Sequence, residues 1–500
     1  MRLRQRTIFV SIALTFVTCS LIYAQEPRGT ASEPTPPPNT AAESRPSREE
    51  LERRLEVLEA RMEEMRQEIG RLKEIAASSV GSPSAAPAIA NKTTTTPETT
   101  KPPLQDKPVA APRPGFDVGA VHVVPYGTIY LNLFGNSGGN NNADVPLFAT
   151  PTGPGGVSAT ARETRLGLRL EGPEILGAKS SGLVETDFSG GFPAIGIGED
   201  FGVMRLRLAY MRLDWKNTSV EAGQDWTVFA PNNPVSIASV GAPEFAASGN
   251  LFGRIPQIRV QQRWRDGKVS WDGAVLGPRT GDFPPGTTPA LLQPGSGAAS
   301  RMPAFETRIA LNDKNWFGSG KAGSIGVSAH YGRARVAFVP QNINLEVAGV
   351  AGDWNLPFNK RVALTGEAFW GRNLAGLQGN IFQTFVPDFA YRVGPVLVPG
   401  GPRAPATRGG WAQIGFTPPT LKDRLTLYAA GGTDDPRNED YVSLSRRDSR
   451  IRNRAYAFSF IYKFTPQLSW GMEYRRLETL YIVSGHQNNN HLNLGAAFTF

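Results

Sequence analysis

After Gly115 apolar residues recur at every second position, and a period of two fits strands whose two faces meet different surroundings. In Arg165-Leu166-Gly167-Leu168-Arg169-Leu170-Glu171 the leucines share one face, and the charges and glycine share the other. From Ile258 to Arg265 the arginines again fall on one face. From Tyr456 to Phe464 five aromatics fall on one face, too many to leave in water. Sixteen such segments are predicted, near residues 121–135, 160–172, 179–190, 203–216, 218–228, 256–267, 268–277, 301–313, 321–333, 342–354, 360–372, 407–418, 422–433, 451–464, 466–478 and 488–500.

Their connections alternate in length. Long ones (136–159, 191–202, 229–255, 278–300, 373–406, 434–450) are separated by very short ones such as Asn217, Asp266-Gly267 and Thr465-Pro466. A soluble sandwich does not gather its long loops at one end. An even strand count with this asymmetry predicts an all-β fold, a 16-stranded antiparallel transmembrane β-barrel with short periplasmic turns and long outer loops. Composition agrees, because 19% charged residues are few for a soluble surface and 54 glycines are many for long helices.

The N-terminal part is organised differently. Arg2, Arg4 and Arg6 precede an apolar run from Ile8 to Val17 and a small-residue cleavage point after Ala24, so residues 1–24 read as a signal peptide. Residues 25–47 are a Pro-, Ser- and Thr-rich linker. In 48–76, Leu51, Leu55, Leu58, Met62, Met65, Ile69 and Leu72 follow a 4-3 spacing, which predicts a short α-helical coiled coil. In a parallel pairing Arg54 meets Glu59 and Glu68 meets Lys73, while Arg61 meets Arg66 with the wrong sign. A solitary amphipathic helix is the alternative. Residues 77–115 form a second linker, and 116–500 the barrel. The only cysteine, Cys19, leaves with the signal peptide, so the mature chain has no thiol chemistry and no disulfide.

Sixteen strands enclose an aqueous lumen, so the default function is a channel and not an enzyme. The third outer loop, Ala230 to Ile255, is long, apolar and punctuated by Gly and Pro; it is expected to fold inward and form a constriction marked by Ala230, Glu244 and Arg254. Residues 116–500 carry 29 Arg and 8 Lys against 30 acids. Arginine's planar fork suits carboxylates and phosphates. Arg165, Arg169, Arg205, Arg207, Arg259, Arg263 and Arg265 lie on the non-lipid faces and are expected to line a pore that prefers small anions. Arg212 breaks the alternation of its strand. In the alternative, the arginines are neutralised by Glu163, Glu171, Glu185, Asp187, Glu221 and Asp225 and serve only the wall. No cofactor or metal is expected, and a net charge of +9 spread along the chain does not imply a nucleic-acid partner.

Tyr126-Gly127-Thr128-Ile129-Tyr130-Leu131, Arg162-Glu163-Thr164-Arg165-Leu166-Gly167, Arg205-Leu206-Arg207-Leu208-Ala209-Tyr210 and Gly223-Gln224-Asp225-Trp226-Thr227-Val228-Phe229, preceded by a coiled coil, resemble the DcaP-like outer-membrane porins. The likeness is specific over about residues 116–235 and general beyond. It implies a homotrimeric porin of the bacterial outer membrane, a periplasmic coiled coil and uptake of small anions such as dicarboxylates. Arg165, Arg205 and Arg207 are the arginines at matching positions. The long Pro/Thr tether is a departure from that family. Phe500, with Phe498 and Leu494 at alternate positions, resembles the signal read by the barrel assembly machinery.

Two rival functions follow from other features. Gly135-Asn136-Ser137-Gly138-Gly139 and Ser484-Gly485-His486 would serve an outer-membrane hydrolase, although no nucleophile-elbow helix follows Ser137. The coiled coil and linkers would serve a structural tether to the cell wall. Gly318 to Gly323 fits a dinucleotide-binding pattern but reads as a turn. Asp434-Asp435 and Glu439-Asp440 read as solvated loop charge, with a divalent cation or the lipopolysaccharide surface as the alternative partner.

Overall fold

The computed structural model describes residues 114–191, 202–282, 294–338 and 341–500. The signal peptide, both linkers up to residue 113 and the coiled coil lie outside these residues. Sixteen strands close into one antiparallel barrel. They are β1 (Val121–Asn136), β2 (Gly156–Thr160 continuing as Arg165–Ile175), β3 (Ala178–Asp187), β4 (Arg205–Asp214), β5 (Thr218–Trp226), β6 (Arg254–Trp264), β7 (Val269–Leu276) and β8 (Ala304–Asp313). The second half comprises β9 (Gly323–Val336), β10 (Ile343–Pro357), β11 (Val362–Arg372), β12 (Ala406–Phe416), β13 (Leu425–Pro436), β14 (Arg450–Lys463), β15 (Leu468–Tyr481) and β16 (Gly485–Thr499). Each predicted segment is a strand, with ends moved by a few residues. A short strand, Phe116–Val118, doubles back on β1, and a small hairpin, Ala390–Val393 with Val396–Pro399, lies within the loop after β11.

The barrel closes by pairing β1 with β16, from Thr128 opposite Thr499 to Asn136 opposite His491. At the seam Gly127 and Phe500 exchange backbone hydrogen bonds of 3.2 and 3.1 Å. A Cβ on Gly127 would stand 2.7 Å from the Phe500 ring and from the Arg165 carbonyl, so the closing contact needs glycine there. Closure leaves no open edge for aggregation.

The outer face is an apolar band. Ile129, Leu131, Leu166, Leu168, Ile258, Ile309, Val327, Trp370, Phe458, Leu492 and Phe498 are all exposed on it. Their alternate neighbours point inward and are polar, which is why the period of two was visible.

One expectation about alternation is resolved by a β-bulge. The register between β3 and β4 shifts at the Glu185–Thr186 step, whose partners are Leu208 and Leu206. Arg207 is the extra residue. A bulge re-aims side chains on either side of it, so Arg205, Arg207 and Arg212 all reach inward although Arg212 is out of phase.

The barrel's two ends differ. Short turns join the strands at the end holding Phe500, and all eight lysines after Gly115 lie at that end: Lys179, Lys216, Lys268, Lys314, Lys321, Lys360, Lys422 and Lys463. At the other end the loops after β1, β5 and β11 turn into the barrel. Val228, Phe229 and Leu251 pack with Leu374, Leu377 and Phe369, and Val145, Leu147 and Phe148 pack with Ala246, Phe252 and Ile381. An apolar plug therefore fills part of the space expected to be aqueous throughout, since loops of this composition gain more by burying side chains against one another than by lining water.

Candidate functional site

The loop after β5, residues 227–253, crosses the interior and is pinned strand by strand to the far wall. The backbone N–H groups of Val228 and Phe229 donate to Glu306 on β8 (2.7 and 3.0 Å), and Ala230 N–H donates to Ser328 on β9. Asn232 N–H donates to Glu367 on β11 (2.6 Å), while its side chain donates to the carbonyls of Trp354 and Gly366. Val235 exchanges hydrogen bonds with Gln413 on β12, and Ser236 donates to Glu473 on β15. Arg475, fully buried, holds Glu473 and Ser239, lies 3.4 Å from Glu244, and donates to the Pro146 carbonyl of the loop after β1. Burial, and then the Glu473 carboxylate beside it, push the Glu244 carboxyl well above the usual carboxylate range.

The loop then returns to the near wall and presents the carbonyls of Val240 and Gly241 to four arginines. Arg165 and Arg207 donate to Val240 O (3.2 and 3.3 Å), and Arg205 and Arg254 donate to Gly241 O (2.9 and 3.2 Å). The carboxylates in reach come from β3 and β2. Arg205 grips Asp187 with two hydrogen bonds of 3.0 and 2.7 Å; Arg207 bridges Glu185 and Asp187 at 2.7 and 2.8 Å; Arg165 lies 3.5 Å from Glu185. Glu163 accepts the Gly241 N–H. Arg279, in the loop after β7, joins this group: loss of surrounding water, and then the Arg205 charge, hold its guanidinium below the usual range. Five guanidinium groups thus meet three carboxylates, and the buried Nε of Arg165 and an Nη of Arg254 make no hydrogen bond.

A second tier runs toward the short-turn end. Arg169 stacks over Tyr126 at 4.3 Å and has no carboxylate partner among the described residues. Arg212 pairs with Asp214 and Glu221, Arg259 with Asp272 and Asp225, and Arg263 with Ser219 and, more loosely, Asp214.

Three expected positions need correction. Arg265 lies in the exposed β6–β7 turn with φ of 52°, beyond the end of the strand, so it does not share the wall with Arg259 and Arg263. Ala230 and Glu244 belong to the inward loop but are buried anchors, 2% and 1% exposed, because the loop turns its own side chains into the far wall. Of the three residues expected to mark the constriction, Arg254 alone reaches the arginine group. Residues unforeseen from sequence are the Val240–Gly241 carbonyls, Arg279, and the anchors Glu306, Glu367, Glu473 and Arg475. For the anchors a signal existed, since each is an inward-facing charge on a strand whose outward positions are mostly apolar.

The acids of both walls are consumed, Glu163, Glu185 and Asp187 on the near wall being at most 6% exposed. Glu306, Asp353, Glu367 and Glu473 are at most 4% exposed, spent on loop N–H groups, His330, Arg308 and Arg475. On the near wall Arg165 and Arg205 keep 26% and 32% of their side-chain surface. The carboxylates are thus covered on both walls, and Arg207 and Arg475 with them, while Arg165 and Arg205 remain partly open.

No family model matches the sequence, and no curated protein matches it. Among solved structures, the outer membrane channel DcaP of Acinetobacter baumannii superposes with a TM-score of 0.57 at 17% identity, covering 78% of this chain and all of the DcaP chain. The chain has the DcaP fold. An anion-selective porin from Comamonas acidovorans is also similar, with a TM-score of 0.45 at 11% identity, covering 76% of this chain and all of that one. That fold agrees with the family resemblance read from the sequence.

The serines of the rival reading are engaged elsewhere. Ser137 accepts a hydrogen bond from Asn490 N–H and approaches Asn489, and Ser484 donates to Asp448. Among the described residues, neither touches a histidine. His330 and His491 contact Glu306 and Asn136, and no cluster of three metal-ligating side chains occurs among the described residues.

Proposed function

We propose that this chain is a passive porin of the bacterial outer membrane that admits small hydrophilic solutes and prefers anions such as dicarboxylates. The observation that carries this reading is the gathering of Arg165, Arg205, Arg207, Arg254 and Arg279 at the near wall, where the neighbouring carboxylates are buried while Arg165 and Arg205 keep 26% and 32% of their side-chain surface. A solute carboxylate passing Arg165 and Arg205 meets partly exposed guanidiniums already held in place by Glu185, Asp187 and the loop carbonyls, and a cation meets the excess positive charge. Arg169, Arg259 and Arg263 extend the basic track toward the short-turn end. Ala230, Glu244 and Arg475 hold the loop, and so set the width of the opening. The DcaP fold supports the setting, and the outward apolar band supports insertion in a bilayer. In this reading the protein is a homotrimer whose coiled coil lies in the periplasm, and Phe500 is read by the barrel assembly machinery.

The test is single-channel recording in a planar bilayer under a salt gradient. Anion-selective steps in groups of three, with selectivity reduced in Arg165→Gln and Arg205→Gln, are expected. Cation selectivity indifferent to both substitutions would overturn the proposal.

A further inference from the structure

The outward face of the barrel carries charge where an apolar band is expected, and it does so on one side only. Near the long-loop end, Arg408 on β12, Arg452 and Arg454 on β14 and Arg476 on β15 point away from the lumen, with Asp435 and Glu478 among them. Their direction follows from register: Arg454 and Arg476 alternate with the inward Ala455 and Leu477 and share columns with the exposed Tyr456, Phe458 and Tyr474. A bulge between Arg450 and Arg452 lets Arg450 turn inward onto Phe148 while Arg452 turns out.

The acids do not neutralise this patch. Asp435 is shared by Arg408 (3.3 Å) and Arg452 (2.9 Å), Glu478 holds Arg476 (2.7 Å), and Arg454 makes no ion pair among the described residues. Four guanidiniums face two carboxylates. Arg408 keeps 76% of its side-chain surface, and Arg452 and Arg476 keep 40% and 42%. The belt continues on β9 to β11, where Arg333, Arg335 and Arg372 are outward and Glu346 stands opposite Arg333. On β1 to β8 the outward positions toward the same end are uncharged, among them Leu133, Leu206, Ile258, Val275 and Phe305.

We propose that this belt binds the phosphorylated headgroup of an outer-leaflet glycolipid, the phosphate esters of lipid A. Three features select that occupant. The cations are all arginine, whose fork matches phosphate, whereas every lysine after Gly115 sits at the opposite end. Along the same columns, one or two outward positions below the guanidiniums, lie Tyr456, Phe458, Tyr474, Leu492 and Leu494, an exposed apolar surface suited to acyl chains. Charge on a barrel's lipid face costs about 2–4 kcal/mol at mid-bilayer and little near the interface, so arginines at this height are tolerated where phosphates lie. The proposal rests on the outer-membrane placement above but not on conduction.

The test uses the full-length protein in detergent and measures binding of bis-phosphorylated lipid A and of the same lipid A after enzymatic removal of both phosphates. Wild-type protein is expected to bind the phosphorylated form at least about tenfold more tightly, and the triple variant Arg452→Gln/Arg454→Gln/Arg476→Gln to lose that preference. Equal binding of the two lipids by wild type overturns the proposal without recourse to any variant. So does an unchanged preference in the triple variant. Channel conductance, recorded separately, is expected to be unaltered, because none of the three side chains points into the lumen.

Discussion

Replacing Arg165 with Gln should lower anion preference about fivefold in dilute salt, and the size of the effect can be worked from the site. Arg165 keeps 26% of its side-chain surface, and its carboxylate neighbour Glu185 is held more closely by Arg207, at 2.7 Å against 3.5 Å. The substitution therefore removes one positive charge from the opening without orphaning an acid. A monovalent ion passing about 5 Å from the guanidinium in water-like surroundings interacts by about 0.8 kcal/mol, or about 0.5 kcal/mol after screening at 0.1 M salt. The anion gains what the cation loses, so discrimination changes by about 1 kcal/mol, or about fivefold. At 1 M salt the Debye length is about 3 Å, and the same substitution should alter selectivity less than about twofold. Reversal potentials across a salt gradient, at matched low and high ionic strength, give both numbers. A ratio unmoved at 0.1 M, or moved equally at 1 M, would refute the electrostatic account.

Other consequences can be checked in the same preparation. Arg207→Gln strips a bridging cation from the buried Glu185 and Asp187 and should lower stability by about 3 kcal/mol, read as a fall in the urea midpoint. Because the Glu244 carboxyl is held above its usual range, the folded loop favours its protonated form; raising pH from the ordinary carboxylate range through that raised value should loosen the loop, seen as open-channel noise that grows with pH in wild type and stays flat in Glu244→Gln. Gly127→Ala forces a methyl against Phe500 and the Arg165 carbonyl at the seam and should cost about 1–3 kcal/mol, measurable as a smaller heat-modifiable fraction on gels. Asn232→Ala removes two side-chain anchors of the inward loop and should raise current fluctuations while leaving selectivity in place, recorded on single channels.

The wall was legible in the sequence because each strand repeats one simple demand, apolar outward and polar inward, as in Arg165 to Glu171. Arg165, Arg205, Arg259 and Arg263 could be placed by parity alone. Arg212 could not, since a bulge at Arg207 is a local choice of register that alternation does not encode. Arg265 was misplaced because a strand and the turn that ends it share the same residue types. The loop's path was beyond reach for another reason: its anchors lie far along the chain, Ser236 meeting Glu473 and Val235 meeting Gln413, and no local pattern couples such pairs. The carbonyls of Val240 and Gly241 carry no side-chain signal at all.

The distance between those partners also governs when the inward loop can seat. Val235 and Gln413 are 178 residues apart, and Ser236 and Glu473 are 237 apart, so the loop has nothing to seat against until β12 and β15 are in place. Contacts of such separation form late, because a long stretch of chain must be ordered before they reward it. The seam pairs residues still farther apart, Thr128 with Thr499 at 371, so by the same reasoning the inward loop seats before the barrel closes. Glu367, Glu473 and Arg475 lie on β11 and β15, so these latches are already in the chain when β16 comes to complete the wall.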